Sequence, residues 1–242
     1  MKIVSWIHGA MAEYEREEVG GVTELTNADF HLALSHGYEK MILDADPNAR
    51  IFNIGNPVDI PEYTECETDP YLLCYVGRLS EVKRIDIILE AIYRAKGPWK
   101  LKLVGNGDIK EEVDGWIDLL KLNDRVIRVD WSSDPWNDCR DSSIMVSASE
   151  YEGFSLSAHE ASARGKTVIT TPVDGITDYI EEGINGYYFP QEDAIALADI
   201  LDRIEEGTIK VCNPKDCIDS VMRFRTDNYF KNVMAALEEM TK

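Results

Sequence analysis

Short apolar, β-rich runs alternate with helix-patterned segments along most of this 242-residue chain. That alternation constrains the fold more than anything else in the sequence. Clear runs are 2–7 (KIVSWI), 29–35 (DFHLALS), 50–54 (RIFNI), 71–76 (YLLCYV), 100–104, 125–130, 143–147, 167–171 (TVITT) and 186–189. Helical patterns are expected at 37–45, 84–95, 109–121, 135–140, 152–164, 176–182, 191–205 and 226–241, and in parts of the polar stretch up to Glu24. Strands separated by helices and left through glycine-containing loops predict βαβ units and parallel sheets. An open parallel sheet binds ligands at the carboxyl ends of its strands, so the loops after the strands are where chemistry is sought.

Charge narrows the partners. A net charge of −20 with no basic stripe excludes nucleic acid and a broad cationic membrane surface. An anionic ligand must then be held by a local cluster of cations and backbone N–H groups. No run approaches the length of a membrane span, and MKIVSWIHG does not read as a signal peptide, so a cytoplasmic address, or one peripheral at the inner membrane face, is expected. The five cysteines are scattered. Cys74 reads as a small buried hydrophobe, and Cys212 and Cys217 have no nearby partner pair for zinc, so no metal is expected.

Three loops carry candidate chemistry. Gly77-Arg78-Leu79-Ser80-Glu81-Val82-Lys83-Arg84 puts three cations at a strand end and a helix start, a pattern that fits either a diphosphate site or a solvated loop. Val104-Gly105-Asn106-Gly107 allows close backbone approach to a ligand, or simply a tight turn. The third runs from Ser149 to Glu160, with Glu152 and Glu160 eight residues apart around Gly153-Phe154-Ser155-Leu156. N–H groups at that helix start attract phosphate, and the two carboxylates can accept from hydroxyls. The alternative makes Glu152 a dipole-complementing acid and Glu160 a solvated helix residue.

These segments, in order, resemble the C-terminal domain of the retaining GT-B glycosyltransferases of family 4. The matching text is YVGRLSEVKR, LKLVGNG, VSASEYEGFSLSAHEASARGKTVITTPVDGITDYI and EEGINGYYF. SWIHG, ADFHLALS and PWND with SEYEGF are most similar to the branch that builds lipopolysaccharide with a 1,6-linked galactose. Departures are Thr167 where proline is usual, Arg84 where glycine is usual, and His159 where leucine is usual. The resemblance implies an α/β fold with a complete GT-B-type Rossmann-like C-terminal domain over 59–225. A partial N-terminal, acceptor-side Rossmann-like domain would span 1–58, and a helix over 226–242 would cross back onto it through Phe230, Val233 and Leu237.

The resemblance also implies roles. Arg78 and Lys83 would hold the diphosphate and neutralise the leaving UDP. Glu160 would bind ribose hydroxyls and Glu152 the donor sugar, beside the N–H groups of Phe154 and Ser155. Gly77, Gly105, Gly153 and Leu156 would shape the pocket, and His8 would sit beside the donor sugar. His31 and His36 read as structural, and Trp131, Trp136 and Tyr187-Tyr188-Phe189 as packing rather than sugar platforms. The implied reaction is retaining transfer of galactose or glucose from a UDP-sugar to a glycan or glycolipid acceptor, with no metal and no other cofactor. The Asp44-Ala45-Asp46 triplet precedes Pro47 in a connecting turn and reads as no metal motif. Because most of the acceptor side has no counterpart here, a non-catalytic donor-binding subunit is the alternative. Exposed stub strands would then favour a homo-oligomer or a partner subunit.

Overall fold

The computed structural model describes residues 1–9 and 27–242. The helical expectation for the polar stretch up to Glu24 lies outside them. Two parallel sheets organise the chain. The first is β1 (Val4–Trp6), β2 (Phe30–Ala33) and β3 (Ile51–Asn53) in that spatial order, with α1 (His36–Ala45) between β2 and β3. The second contains β4 (Asp69–Val76), β5 (Lys100–Val104), β6 (Val126–Val129), β7 (Ser142–Ser147), β8 (Thr167–Thr170) and β9 (Gly186–Tyr188). Its order is β6-β5-β4-β7-β8-β9 and every pairing is parallel. The order reverses between β4 and its two neighbours, which opens a crevice above the carboxyl ends of β4 and β7.

Helices cover the second sheet: α2 (Ile85–Arg94), α3 (Lys110–Leu119), α4 (Pro135–Asp138), α5 (Leu156–Ser162), α6 (Ala194–Glu205) and α7 (Pro214–Val221). Its central strands are buried on both faces, as continuous apolar runs such as YLLCYV require. On one face Leu73, Leu101, Leu103 and Ile144 pack against Ile88, Ile92, Val113 and Leu197. On the other, Cys74, Val104, Met145 and Val168 share a core with Ala158, Ala161 and Val221. That second core also takes in Ile7, Ala33, Leu34, Tyr38 and Val58, so the two sheets are bonded through one apolar cluster. The two chain crossings run side by side, with the Val58 N–H donating to the Phe224 carbonyl at 2.8 Å.

α8 (Thr226–Thr241) lies against the first sheet as expected, and of the three expected contacts Val233 is made while Phe230 and Leu237 are not. Tyr229, Ala236 and Met240 are buried with Phe30, Leu32 and Ile54, and Val233 packs on the same cluster. Phe230 and Leu237 are 58% and 42% exposed. The helix starts directly after the Val58–Phe224 bridge, which fixes its rotation, and a shift of one residue turns a helix by about 100°.

Two further expectations are corrected. Residues 174–179 form turns and Glu182 bridges to Gly186, so no helix spans 176–182. Ile176, Tyr179 and Ile180 have helical spacing and are buried, yet Gly175 and Gly183 at φ +75° and +77° break the chain on either side. The Asn185 side chain takes over as partner, accepting from the Glu181 N–H at 2.7 Å and donating to the Tyr179 carbonyl at 2.8 Å. The helix expected from 152 begins only at Leu156, because Ser155 is left-handed (φ 59°, ψ 65°) and turns the chain before it. Among the described residues, no helix is long and apolar enough to cross a membrane.

Candidate donor site at the carboxyl ends of the strands

The crevice is built from three loops held by backbone contacts. After β4 the chain passes so close to the loop after β5 that a Cβ on Gly105 would lie 1.9 Å from the Gly77 carbonyl oxygen. One on Gly107 would lie 2.1 Å from that of Leu79. Gly105 has φ +140°, so glycine is required there twice over, by space and by conformation. The Gly77 N–H donates to the Val104 carbonyl and the Leu79 N–H to that of Asn106, which locks the first two loops together. Tyr75 lies beneath Gly77 and donates its hydroxyl to the Arg78 carbonyl at 2.9 Å; burial pushes its phenol above the usual range.

Lys83, in the 3₁₀ turn Glu81–Lys83, reaches the third loop. Its Nζ sits 2.7 Å from Glu152 Oε1, and both side chains are mostly buried. The Ser149 hydroxyl donates to the same oxygen at 2.8 Å. The Glu150 N–H donates to the Val82 carbonyl, tying the two loops along their backbones. Arg84 is withdrawn from the cluster. It is left-handed (φ 45°), pairs with Asp86, Glu150 and Glu192, and those carboxylates raise its already high pKa. Arg78 is exposed, with no ion pair for its guanidinium among the described residues. Among the described residues, Arg78 and Lys83 are thus the cations available at the crevice, and Lys83 is pre-positioned on a carboxylate.

Gly153 carries the chain past the first sheet. A Cβ there would stand 2.7 Å from the Gly9 carbonyl oxygen and 3.0 Å from that of His8. His8 is brought to this loop by its backbone, and its ring lies 5.0 Å from that of Trp6. Phe154 and Ser155 are buried, whereas Leu156 is 44% exposed. The first intrahelical bonds of α5 run from the Ala158 and His159 N–H groups to the Ser155 carbonyl, so the amides before them have no intrahelical acceptor. Glu160 faces α4, where its Oε2 accepts from the Trp136 indole at 3.0 Å, and Arg164 lies 5.3 Å from the Trp136 ring centroid. The geometry therefore gathers Gly77, Lys83, Gly105, Glu152 and Gly153 through direct contacts between loops, with His8 at its rim. Glu160 sits one turn along α5, its carboxylate engaged by Trp136.

Sequence reasoning missed several supports. His159 is fully buried, stacks on Phe154 at 3.9 Å between centroids, and shares a hydrogen bond with the Ser155 carbonyl through Nδ1. Burial holds its pKa down to about 3, so the ring is neutral, Nδ1–H is the donor and Nε2 has no partner. Asp174 accepts from the Ser35 hydroxyl at 2.5 Å, with burial raising its carboxyl pKa. His31 is buried beside Ser5, with Nδ1 2.7 Å from the hydroxyl, as a structural residue would be. A groove of about 700 Å³ lies at the opposite, amino end of the second sheet, lined by Tyr63, Trp136, Arg140, Arg164 and Lys166. It contains none of the loop residues above.

Against this geometry, similarity to known proteins is specific. Residues 59–218 match the family model described as glycosyl transferases group 1. The chain belongs to that family, and its architecture is the GT-B type. It is 29% identical over 228 residues to the lipopolysaccharide 1,6-galactosyltransferase of Escherichia coli K12, covering 89% of this chain and 62% of that protein. To the Salmonella typhimurium enzyme of the same name it is 29% identical over 251 residues, covering 97% and 67%. The chain thus spans about two thirds of the length of these relatives. The solved apo structure of a lipopolysaccharide outer core galactosyltransferase superposes with a TM-score of 0.87 at 27% identity, over 99% of this chain and 69% of that one. Anabaena HepE in complex with UDP-glucose gives 0.80 at 19% identity, over 98% and 72%, a likeness of fold.

Proposed function

We propose that the chain binds a UDP-hexose in the crevice above β4 and β7 and serves retaining transfer of galactose or glucose to a cell-surface glycan or glycolipid. The observation that carries this reading is the Lys83–Glu152 contact of 2.7 Å, a cation and a carboxylate from separate loops meeting at the strand ends beside the unpaired Arg78. Both relatives named above act in lipopolysaccharide assembly, which supports the same acceptor class.

In this reading the diphosphate lies between Arg78 and Lys83. Glu152 holds the Lys83 ammonium in place before the ligand arrives and keeps an oxygen for a sugar hydroxyl. Pre-positioned cations stabilise the charge that builds on the leaving UDP without reorganising during reaction. Glu160, oriented by the Trp136 indole, accepts from the ribose diol, and amides near Phe154, Ser155 and Leu156 lie close to the phosphates. Gly77 and Gly105 let the backbone come near the donor. His8 stands on the side from which the sugar is met. The acceptor hydroxyl attacks the anomeric carbon on the face that UDP leaves, and a phosphate oxygen takes its proton, so neither a metal nor a protein base is needed. The activity sits at the cytoplasmic face, where nucleotide sugars are made.

Incubation with UDP-galactose or UDP-glucose and truncated lipopolysaccharide tests the reading. An α-linked product, formed equally with and without EDTA, is expected. An inverted product or a requirement for metal would contradict the mechanism. A second reading, a donor-binding subunit completed by a partner, is favoured by β1, an edge strand among the described residues, where Val4 and Trp6 are 40% and 47% exposed. It predicts UDP binding without turnover, and a larger assembly once the partner is present.

A further inference from the structure

The first turn of α1 is held by acids from the other sheet. Ser35, its N-cap, accepts from the Tyr38 N–H and donates its own hydroxyl to Asp174 Oδ2 at 2.5 Å. The His36 N–H donates to Asp178 Oδ2 at 2.9 Å, and His36 Nδ1 lies 3.2 Å from the same atom. A Cβ on Gly37 would meet Asp174 Oδ1 at 2.2 Å, so the carboxylate is pressed onto the helix end where any side chain would stand. Positive partial charge at a helix N-terminus favours such carboxylates. These partners are 139 and 142 residues apart in sequence and follow strands of different sheets, β2 and β8.

The same turn reaches the candidate donor loop from two sides. Gly175, next to Asp174, has φ +75° and packs its Cα against the Phe154 backbone, where a Cβ would be 2.7 Å from the Phe154 Cα. From α1, the Tyr38 hydroxyl donates to the Gly9 carbonyl, and that carbonyl abuts Gly153. The contacts close a ring: Asp174, Ser35, Tyr38, Gly9, Gly153, Phe154, Gly175 and back to Asp174.

We propose that the contact of Asp174 and Asp178 with the first turn of α1 is an interdomain clasp, and that Asp174 is a positioning residue setting His8 and Gly9 against the loop 153–155. The clasp acts on the placement of the first sheet over the crevice, while Arg78, Lys83 and Glu160 lie outside the ring. Its kinetic consequence rests on the donor reading; its structural consequence does not.

Hydrogen exchange of the intact chain, with UDP as the probe ligand, tests the clasp. Asp174→Ala breaks it from one side and Gly37→Ala from the other, while Asp174→Asn keeps an acceptor oxygen. In both alanine variants the amides of 36–38 and of 153–155 should lose protection together, by tenfold or more, while β4, β5 and β7 keep theirs. Asp174→Asn should recover most of that protection. Turnover of a UDP-sugar should fall at least tenfold in both alanine variants and recover in Asp174→Asn, with UDP affinity following the protection of 153–155. Loss confined to 36–38, or a uniform loss across β4, β5 and β7, overturns the clasp. Absence of UDP binding by the parent chain sinks the donor reading and leaves the exchange result to decide the clasp.

Discussion

His159 shows how one residue ties a loop's shape to solution behaviour. Folded, its ring stays neutral down to about pH 3, whereas an unfolded histidine protonates near 6.5. Between those values the unfolded chain binds the extra proton, so stability falls as pH drops from about 6.5 toward 3. The slope from this residue is at most ~1.4 kcal/mol per pH unit. His159→Leu should flatten the pH dependence of the urea midpoint between pH 4 and 6; an unchanged slope would show that the ring is not held neutral. Gly105 gives a steric prediction. Gly105→Ala places a methyl 1.9 Å from the Gly77 carbonyl oxygen at φ +140°, so the loops after β4 and β5 must separate. A loss of about 2–4 kcal/mol in chemical unfolding is expected, the range of overpacking with backbone strain, and UDP binding should weaken with it.

At this scale the sequence was most legible where chemistry is local. Gly77, Arg78, Lys83, Glu152 and Gly153 could be picked out because each follows a strand end, and the structure gathers Lys83, Glu152 and Gly153 by direct contact. Their supports could not be read. Trp136 and Asp174 are ordinary aromatic or polar residues whose roles exist only through partners brought in by the fold, 24 residues away for Trp136 and 139 for Asp174. His159 was visible only as a departure from leucine, and its contact with Phe154 depends on the left-handed turn at Ser155.

Among elements, α8 separates packing from pattern. Two apolar stripes that share Val233 run along it, and the one facing the first sheet contains Tyr229, Val233, Ala236 and Met240. Tyr229→Ala should cost about 2–4 kcal/mol, the scale of a large-to-small change in a buried aromatic. Phe230→Ala should stay within ~0.5 kcal/mol, as at an exposed site. Equal losses in thermal unfolding would contradict the assigned face. Periodicity alone could not choose between the stripes, because both satisfy it. The turns at 174–179 show the same ambiguity, their apolar spacing copying a helix that Gly175, Gly183 and the Asn185 side chain prevent. α7 is not among the expected helices, although Asn213 and Pro214 stand as N-cap and first residue, a local start signal.

For the whole molecule, alternation of apolar runs and helices foretold parallel sheets, and both sheets are parallel throughout their named pairings. What it could not foretell is the apolar cluster joining the sheets, since Ile7, Tyr38 and Val58 meet Phe154, Tyr179 and Phe224 only after folding. That joint matters to the donor reading because it carries His8 to Gly153. In the proposed function, Arg78, Lys83, Glu152 and Glu160 form a UDP-sugar site. The most direct measurement is calorimetric titration of the chain with UDP, repeated on Lys83→Ala and Glu160→Ala variants that retain the parent's thermal midpoint. Saturable binding by the parent, weakened at least tenfold in each variant, is the predicted result; no binding by the parent, or equal binding by all three, would contradict it.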